Sequence, residues 1–175
     1  MGYCETGNEI DEVIKMNDRF LFRAKRIDNG EWVQGYLFDD GLPIPKRIFV
    51  GGLIIGKRNG TADDKWNING IDFDEIDPST ICQRTGLKDK NGKLIWENDI
   101  VRFQFDNDDC PFPNKNTKKR VGKVFFSYFR ASWSIAMGRK GSKALNNDLF
   151  KYVQNGNRVE VIGNFFDNPE LLEVE

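Results

Sequence analysis

The chain has 175 residues, with 26 basic against 27 acidic side chains and no histidine. That length fits one domain, or one domain with a small satellite, and the near-balanced charge favours solubility without pointing to a partner. The missing histidine excludes Ser-His-Asp and Cys-His catalysis, His-ligated zinc and imidazole acid–base work. Cys4, Cys82 and Cys110 are far apart and form no CxxC pair, which reads as reduced thiols rather than disulfides or a structural zinc site. No apolar run approaches the roughly 18 residues of a membrane span. Glu5, Glu9, Asp11 and Glu12 precede the first basic residue, Lys15, which is unlike a signal peptide. The expected location is the cytoplasm.

In chain order, residues 1–18 read either as a disordered leader or as a short helix with Ile10, Val13 and Ile14 on one face. From Arg19 the pattern has period two: Phe20, Phe22 and Ala24 alternate with Leu21, Arg23 and Lys25. Asp28-Asn29-Gly30 predicts a hairpin turn, and Trp32, Gln34 and Tyr36 continue the returning strand. Gly41 to Pro45 is a loop. Ile48-Phe49-Val50 and Leu53-Ile54-Ile55 flank Gly51-Gly52, which predicts a second tight hairpin. Asn59 to Asn69 reads as a polar loop, Asp72 to Asp77 as an acidic segment, and Pro78 restarts an extended run to Gln83.

In the second half, Asn91-Gly92 predicts a turn between extended segments. Val101, Phe103 and Phe105 face one way, and Arg102 and Gln104 the other. Asp106 to Asn116 is a loop, and Val121 to Phe126 a strand. Trp133, Ile135 and Met137 alternate with Ser132, Ser134 and Ala136, which places Trp133 in the core. Leu145, Leu149 and Tyr152 or Val153 have helical spacing with Asn147 as a cap, and Val159 to Ile162 is the closing strand. Asn168-Pro169 starts a last helical turn. The expected fold is mainly β, a β-rich α+β chain, with N-terminal hairpins over 19–84 and an SH3-like barrel with short helices over 85–175.

Three blocks carry a family resemblance. The run from Thr85 to Phe103 contains Thr85, Gly86, Leu87, Asp89, Asn91, Gly92 and Asp99. Phe22-Arg23-Ala24 followed by Glu31 to Tyr36 forms the first block. Val159 to Asn164 followed by Asp167 to Leu172 forms the last. In this order the blocks resemble the YopX-like proteins of phages and prophages, over residues 19–175. Arg84, Cys82 and Asn98 depart from the usual pattern, and Asn98 keeps the turn because asparagine tolerates positive φ. The resemblance implies an accessory protein of phage origin and implies no reaction.

Two clusters bear on binding. Cys110 to Asn147 contains no acid but holds Lys115, Lys118, Lys119, Arg120, Lys123, Arg130, Arg139, Lys140 and Lys143, interleaved with aromatics. Cations neutralise phosphates and exposed aromatics stack on bases, so the composition suits nucleic acid. The plainer reading puts the aromatics in the core and the lysines on a solvated edge. Asp63, Asp64, Asp72, Asp74, Glu75 and Asp77, with Asp106, Asp108 and Asp109, form the opposite charge. Their spacing matches no metal loop, and a solvated acidic surface is preferred over Mg²⁺-dependent hydrolysis. Gly51 to Lys57 lacks the spacing of a phosphate loop. The expectation is a protein with no catalytic residues, metal or cofactor. It acts as a homo-oligomer whose acidic and basic patches meet, or by binding a phage or host protein. The alternative is nucleic-acid binding through Cys110–Asn147. No membrane contact is expected.

Overall fold

A computed structural model describes residues 20–43, 46–57, 66–104, 119–137, 148–154 and 158–173, and these are mainly β. Two compact units divide the chain, Met1–Gln83 and Arg84–Glu175.

The first unit is an antiparallel meander of β1 (Phe22–Lys25), β2 (Trp32–Asp39), β3 (Ile48–Lys57) and β4 (Trp66–Glu75). Gly30 at φ 72° makes the first turn, its N–H donating to the Arg26 carbonyl at 3.1 Å. This left-handed conformation suits glycine and costs other residues. Arg26 and Ile76 form a bridge, so the chain after β4 returns to the end of β1. Ala24, Val50 and Ile76 are buried in the small core that results, with Val33, Leu37, Ile48 and Ile81 against them. Cys82 and Gln83, the first residues of β5 (Cys82–Lys88), pair with Arg23 and Phe22.

Gly51-Gly52 is not a turn. Both residues lie inside the ten-residue β3, and the strand pairs with β4 along its whole length. The reason is steric. A Cβ on Gly51 would collide with the Asp72 carbonyl oxygen, and one on Gly35 would lie 2.5 Å from the Gly51 oxygen. The glycines allow the strands to coil tightly where backbones approach. The loop expected to run to Asn69 ends earlier, since β4 begins at Trp66. Pro78 starts a 3₁₀ turn, Pro78–Thr80, rather than a strand. Asp77 caps it, accepting from the Ser79 N–H at 2.9 Å, and proline at the first position is preorganised for it.

In the second unit β5 pairs from Arg84 onward with β6 (Leu94–Trp96). β7 (Asp99–Gln104), β8 (Lys119–Ser127), β9 (Ser132–Met137) and β10 (Val159–Asn164) make an antiparallel sheet in the order β10-β7-β8-β9. The pairings among the described residues contain no β9–β10 pair that would close it. Val101, Phe103, Val124, Ile135, Val159 and Val161 are buried on one face with Ile95, and Leu149 and Tyr152 of α1 (Leu149–Gln154) cover them. Period-two reading placed Val101 and Phe103 inward and Arg102 outward, and Trp133 packs against this core as expected. Phe105, Leu145 and Asn147 lie outside the described residues. Before α1, Asp148 accepts from the Phe150 N–H at 2.9 Å. Asn168 precedes the last 3₁₀ turn, Pro169–Leu172, but its side chain makes no cap bond there. Its Oδ1 accepts instead from the Asn164 N–H at 3.4 Å.

One buried carboxylate ties the turn after β5 to the sheet. Asp89 is 2% exposed. Its Oδ1 accepts from the Asn91 and Lys93 N–H groups at 2.8 and 2.9 Å, and its Oδ2 from the Val161 N–H at 3.0 Å. The Lys90 N–H donates to the Val159 carbonyl at 2.9 Å. Asp89 and Lys90 therefore serve the edge of β10 that β7 leaves open. Gly92, at φ 81°, carries the left-handed residue of this turn; Asn91 does not adopt positive φ. Asp89→Asn retains one oxygen acceptor and leaves the other side facing a buried N–H. It should cost about 1–3 kcal/mol, with Asp89→Ala costing more. Urea denaturation of the three proteins measures this, and midpoints that coincide would remove the carboxylate as the tie.

Candidate binding surfaces of the two units

The outward face of β10-β7-β8 carries charge where the inward face carries the core. Arg102 stands opposite Glu160 on one side and Val121 on the other, and Gln104 stands opposite Lys119. The alternation that buries Phe103 therefore sends Arg102, Gln104, Lys119 and Glu160 to the same face. The Asp89–Val161 tie brings Lys90 over it. Lys90, Arg102, Gln104, Lys119, Arg158 and Glu160 line a cleft of about 250 Å³ with Phe103 at its base. Glu160 receives the Lys90 ammonium at 2.9 Å and the Arg102 guanidinium at 3.5 Å. Its carboxyl is held below the ordinary value of 4.5, first by the Lys90 hydrogen bond and then by the charges of Lys90, Arg102 and Lys119. Three cations thus act on one carboxylate, and Arg158 lines the same cleft.

Of the basic residues singled out by sequence, the structure brings Lys119 and Lys123 to this face. Arg120 falls on the opposite face at the exposed start of β8, and Arg130 sits in the β8–β9 turn. Lys115, Lys118, Arg139, Lys140 and Lys143 lie outside the described residues. Lys90, Arg102 and Arg158 were missed, because they come from three separate segments. The outward phase of Arg102 in the Val101-Arg102-Phe103 alternation was the available signal for one of them. The interleaved aromatics divide. Trp133 packs against the core, and Phe126 stacks edge-on against it at 5.2 Å. Tyr128 and Phe129, at the tip of the β8–β9 hairpin, are 91% and 96% exposed. Ala131 beside them holds φ 50°.

Three acids of the first unit are paired or capping. Glu75 pairs with Arg47 and is held below its ordinary value by that hydrogen bond. Asp74 lies 3.2 Å from Arg26, and Asp77 caps its 3₁₀ turn. Asp72 borders a groove of about 450 Å³ on the β2–β3 surface. Asp63, Asp64, Asp106, Asp108 and Asp109 lie outside the described residues. No group of three or more acidic or cysteine side chains among the described residues is arranged to hold a metal.

A different surface stands out in this unit. β2 pairs with β3 only as far as Gly51, and beyond it β3 and β4 pair with each other alone. This two-stranded arm carries Leu53, Ile54, Ile55, Ile68 and Ile71, each between 50% and 66% exposed. Leu53, Ile54 and Ile55 are consecutive, so both faces of the arm are apolar. No helix among the described residues is long and apolar enough to cross a membrane.

The family model described as YopX protein matches residues 21–173. The chain belongs to the YopX family. The crystal structure of protein EF1440 from Enterococcus faecalis is similar at 20% identity and a TM-score of 0.49, over 86% of this chain and 96% of that one. No curated protein matches the chain. In this YopX family member the central sequence block is made of buried polar anchors. The Thr85 hydroxyl donates to the Ile95 carbonyl at 2.7 Å and accepts from the Leu87 N–H at 3.1 Å, across a strand irregularity that Gly86 enters at φ 79°. The Asp99 carboxylate accepts from the Trp96 N–H at 2.8 Å, with Asn98 at φ 62° between them. The block's residues specify turns and ties, while the exposed chemistry lies beside them.

Because the folded-state pKa of Glu160 is depressed, its ionised form stabilises the fold above about pH 4.5. That contribution is lost as the pH falls through the folded value. An NMR titration should place the Glu160 carboxyl below 4.5, and Lys90→Met should move it upward. An unchanged midpoint in the variant would show that Lys90 is not the cause.

Proposed function

We propose that this YopX family member is a non-enzymatic accessory protein of phage or prophage origin. It works in the bacterial cytoplasm through homo-oligomeric assembly or protein binding. The β3–β4 arm carries this reading. An isolated two-stranded hairpin is marginally stable in water, and an exposed apolar edge invites pairing with another chain. Among the described residues β4 pairs on one side only, so its outer edge and both arm faces are open. Large contiguous apolar patches on soluble proteins mark interaction sites. A second copy offers the same edge and the same isoleucines, so the arm is complementary to itself across a two-fold axis.

A second reading, nucleic-acid binding, is favoured by the layout of β8. Lys119 and Lys123 lie on its outward face, and Tyr128, Phe129 and Arg130 stand at its end, about 26 Å along the strand. Backbone neutralisation followed by base stacking on exposed rings is how single strands are held.

Light scattering after size exclusion tests the leading reading. The wild type should run well above the 20.2 kDa of one chain. Leu53→Lys with Ile71→Glu, an opposed cross-strand pair of compatible charge, should return the mass to that of one chain with the fold intact by circular dichroism. A wild type of one-chain mass at about 50 μM would remove self-assembly.

A further inference from the structure

Resting on the nucleic-acid reading, we propose that the cleft between Lys90, Arg102, Lys119 and Arg158 is a phosphate-binding site whose empty form is held by Glu160. A phosphate ester takes the place of the Glu160 carboxylate. The residues come from the turn after β5 and from β7, β8 and β10, so the site exists only in the folded unit. Lys90, Arg102 and Lys119 around the one Glu160 carboxylate leave an excess of positive charge in a cleft of about 250 Å³, with Arg158 at its wall. That volume suits one phosphate group and its nearest ester rather than a large ligand. Arg102 presents a planar fork, which matches two oxygens of a phosphate, and the lysines supply point charges around it. Gln104 lines the wall.

Glu160 sets the behaviour of the site. It holds Lys90 at 2.9 Å and Arg102 at 3.5 Å, the positions a phosphate oxygen needs. An incoming anion competes with it for the same hydrogens. The internal carboxylate weakens anion binding, and while no anion is bound it keeps like charges together on one sheet face. The cleft opens at the end of β8 from which Lys123 follows on the same face, with its ammonium 4.5 Å above the Phe165 ring. A strand whose terminal phosphate sits in the cleft can continue along β8. A free phosphate or pyrophosphate offers the same oxyanion without the strand.

The test is fluorescence anisotropy on the full chain with a 3′-labelled, 5′-phosphorylated twelve-residue oligothymidylate, alongside calorimetry with inorganic pyrophosphate. Both ligands are titrated against wild type, Glu160→Gln, and Arg102→Gln with Lys119→Gln. Glu160→Gln should tighten both ligands by about three- to tenfold, because it removes the competing charge and keeps the shape. Arg102→Gln with Lys119→Gln should weaken both by about tenfold or more and flatten the salt dependence of the oligonucleotide. A gain of affinity in Glu160→Gln cannot come from misfolding. Pyrophosphate binding with these changes and no oligonucleotide binding would support the site and remove the nucleic-acid reading. Oligonucleotide binding that ignores both sets of changes but is lost in Phe129→Ala with Arg130→Ala would overturn the site and leave that reading standing. Binding of neither ligand would overturn both.

Discussion

The second unit depends on a side chain acting as backbone. The Asp89 carboxylate accepts three main-chain hydrogen bonds, two inside its own turn and one from Val161 of β10. Among the described residues β10 pairs with β7 on one side only, so its other edge would present N–H and C=O groups without a strand. Asp89 and Lys90 satisfy two of those groups, and buried polar groups left unserved are costly. The same connection fixes where Lys90 stands, and through Lys90 it fixes Glu160. A structural carboxylate thus positions the charged cleft without belonging to it. The aspartate is suited to this because an ionised carboxylate accepts several bonds, which a neutral side chain of the same size cannot match.

The first unit rests on the opposite device, the absence of side chains. Gly35 and Gly51 allow β2, β3 and β4 to approach where a Cβ would meet backbone atoms. This coiling builds a core from Ala24, Val50 and Ile76 and then runs out of sheet. Among the described residues, β3 and β4 continue together beyond Gly51 without a third strand. Their isoleucines are therefore exposed because of topology, not because of composition. The unit stores apolar surface where a neighbour can reach it.

The period-two alternation was legible in β7 and β9, where one face is buried. Val101, Phe103, Ile135 and Trp133 fell where period two put them. Asn98 took the positive φ that its place before Asp99 required. Gly51-Gly52 misled, because adjacent glycines signal a turn by local propensity, and only the neighbouring strand shows that they serve close approach. Pro78 misled for a related reason: Asp77 ahead of it supplies a cap, and a capped proline begins a helical turn as readily as it breaks a ladder. The cleft was legible only in part. Lys119 lies in the contiguous basic segment, whereas Lys90 and Arg158 owe their place to pairings with a strand far along the chain.

By itself the sequence determined the mainly β class, the family, the buried phase of β7 and β9, and the absence of histidine chemistry, while in β2 it is Val33 and Leu37, not Tyr36, that pack on the core. Those properties depend on residue type and short-range period, which any chain carries in its order. Tertiary structure alone decided that Gly51 is a strand residue, that Asp89 ties a turn to β10, and that cations from four segments share one face. Each of these is a pairing between residues distant in sequence. Such a pairing is set by which backbone groups find partners and which surfaces find cover, and no local pattern records it.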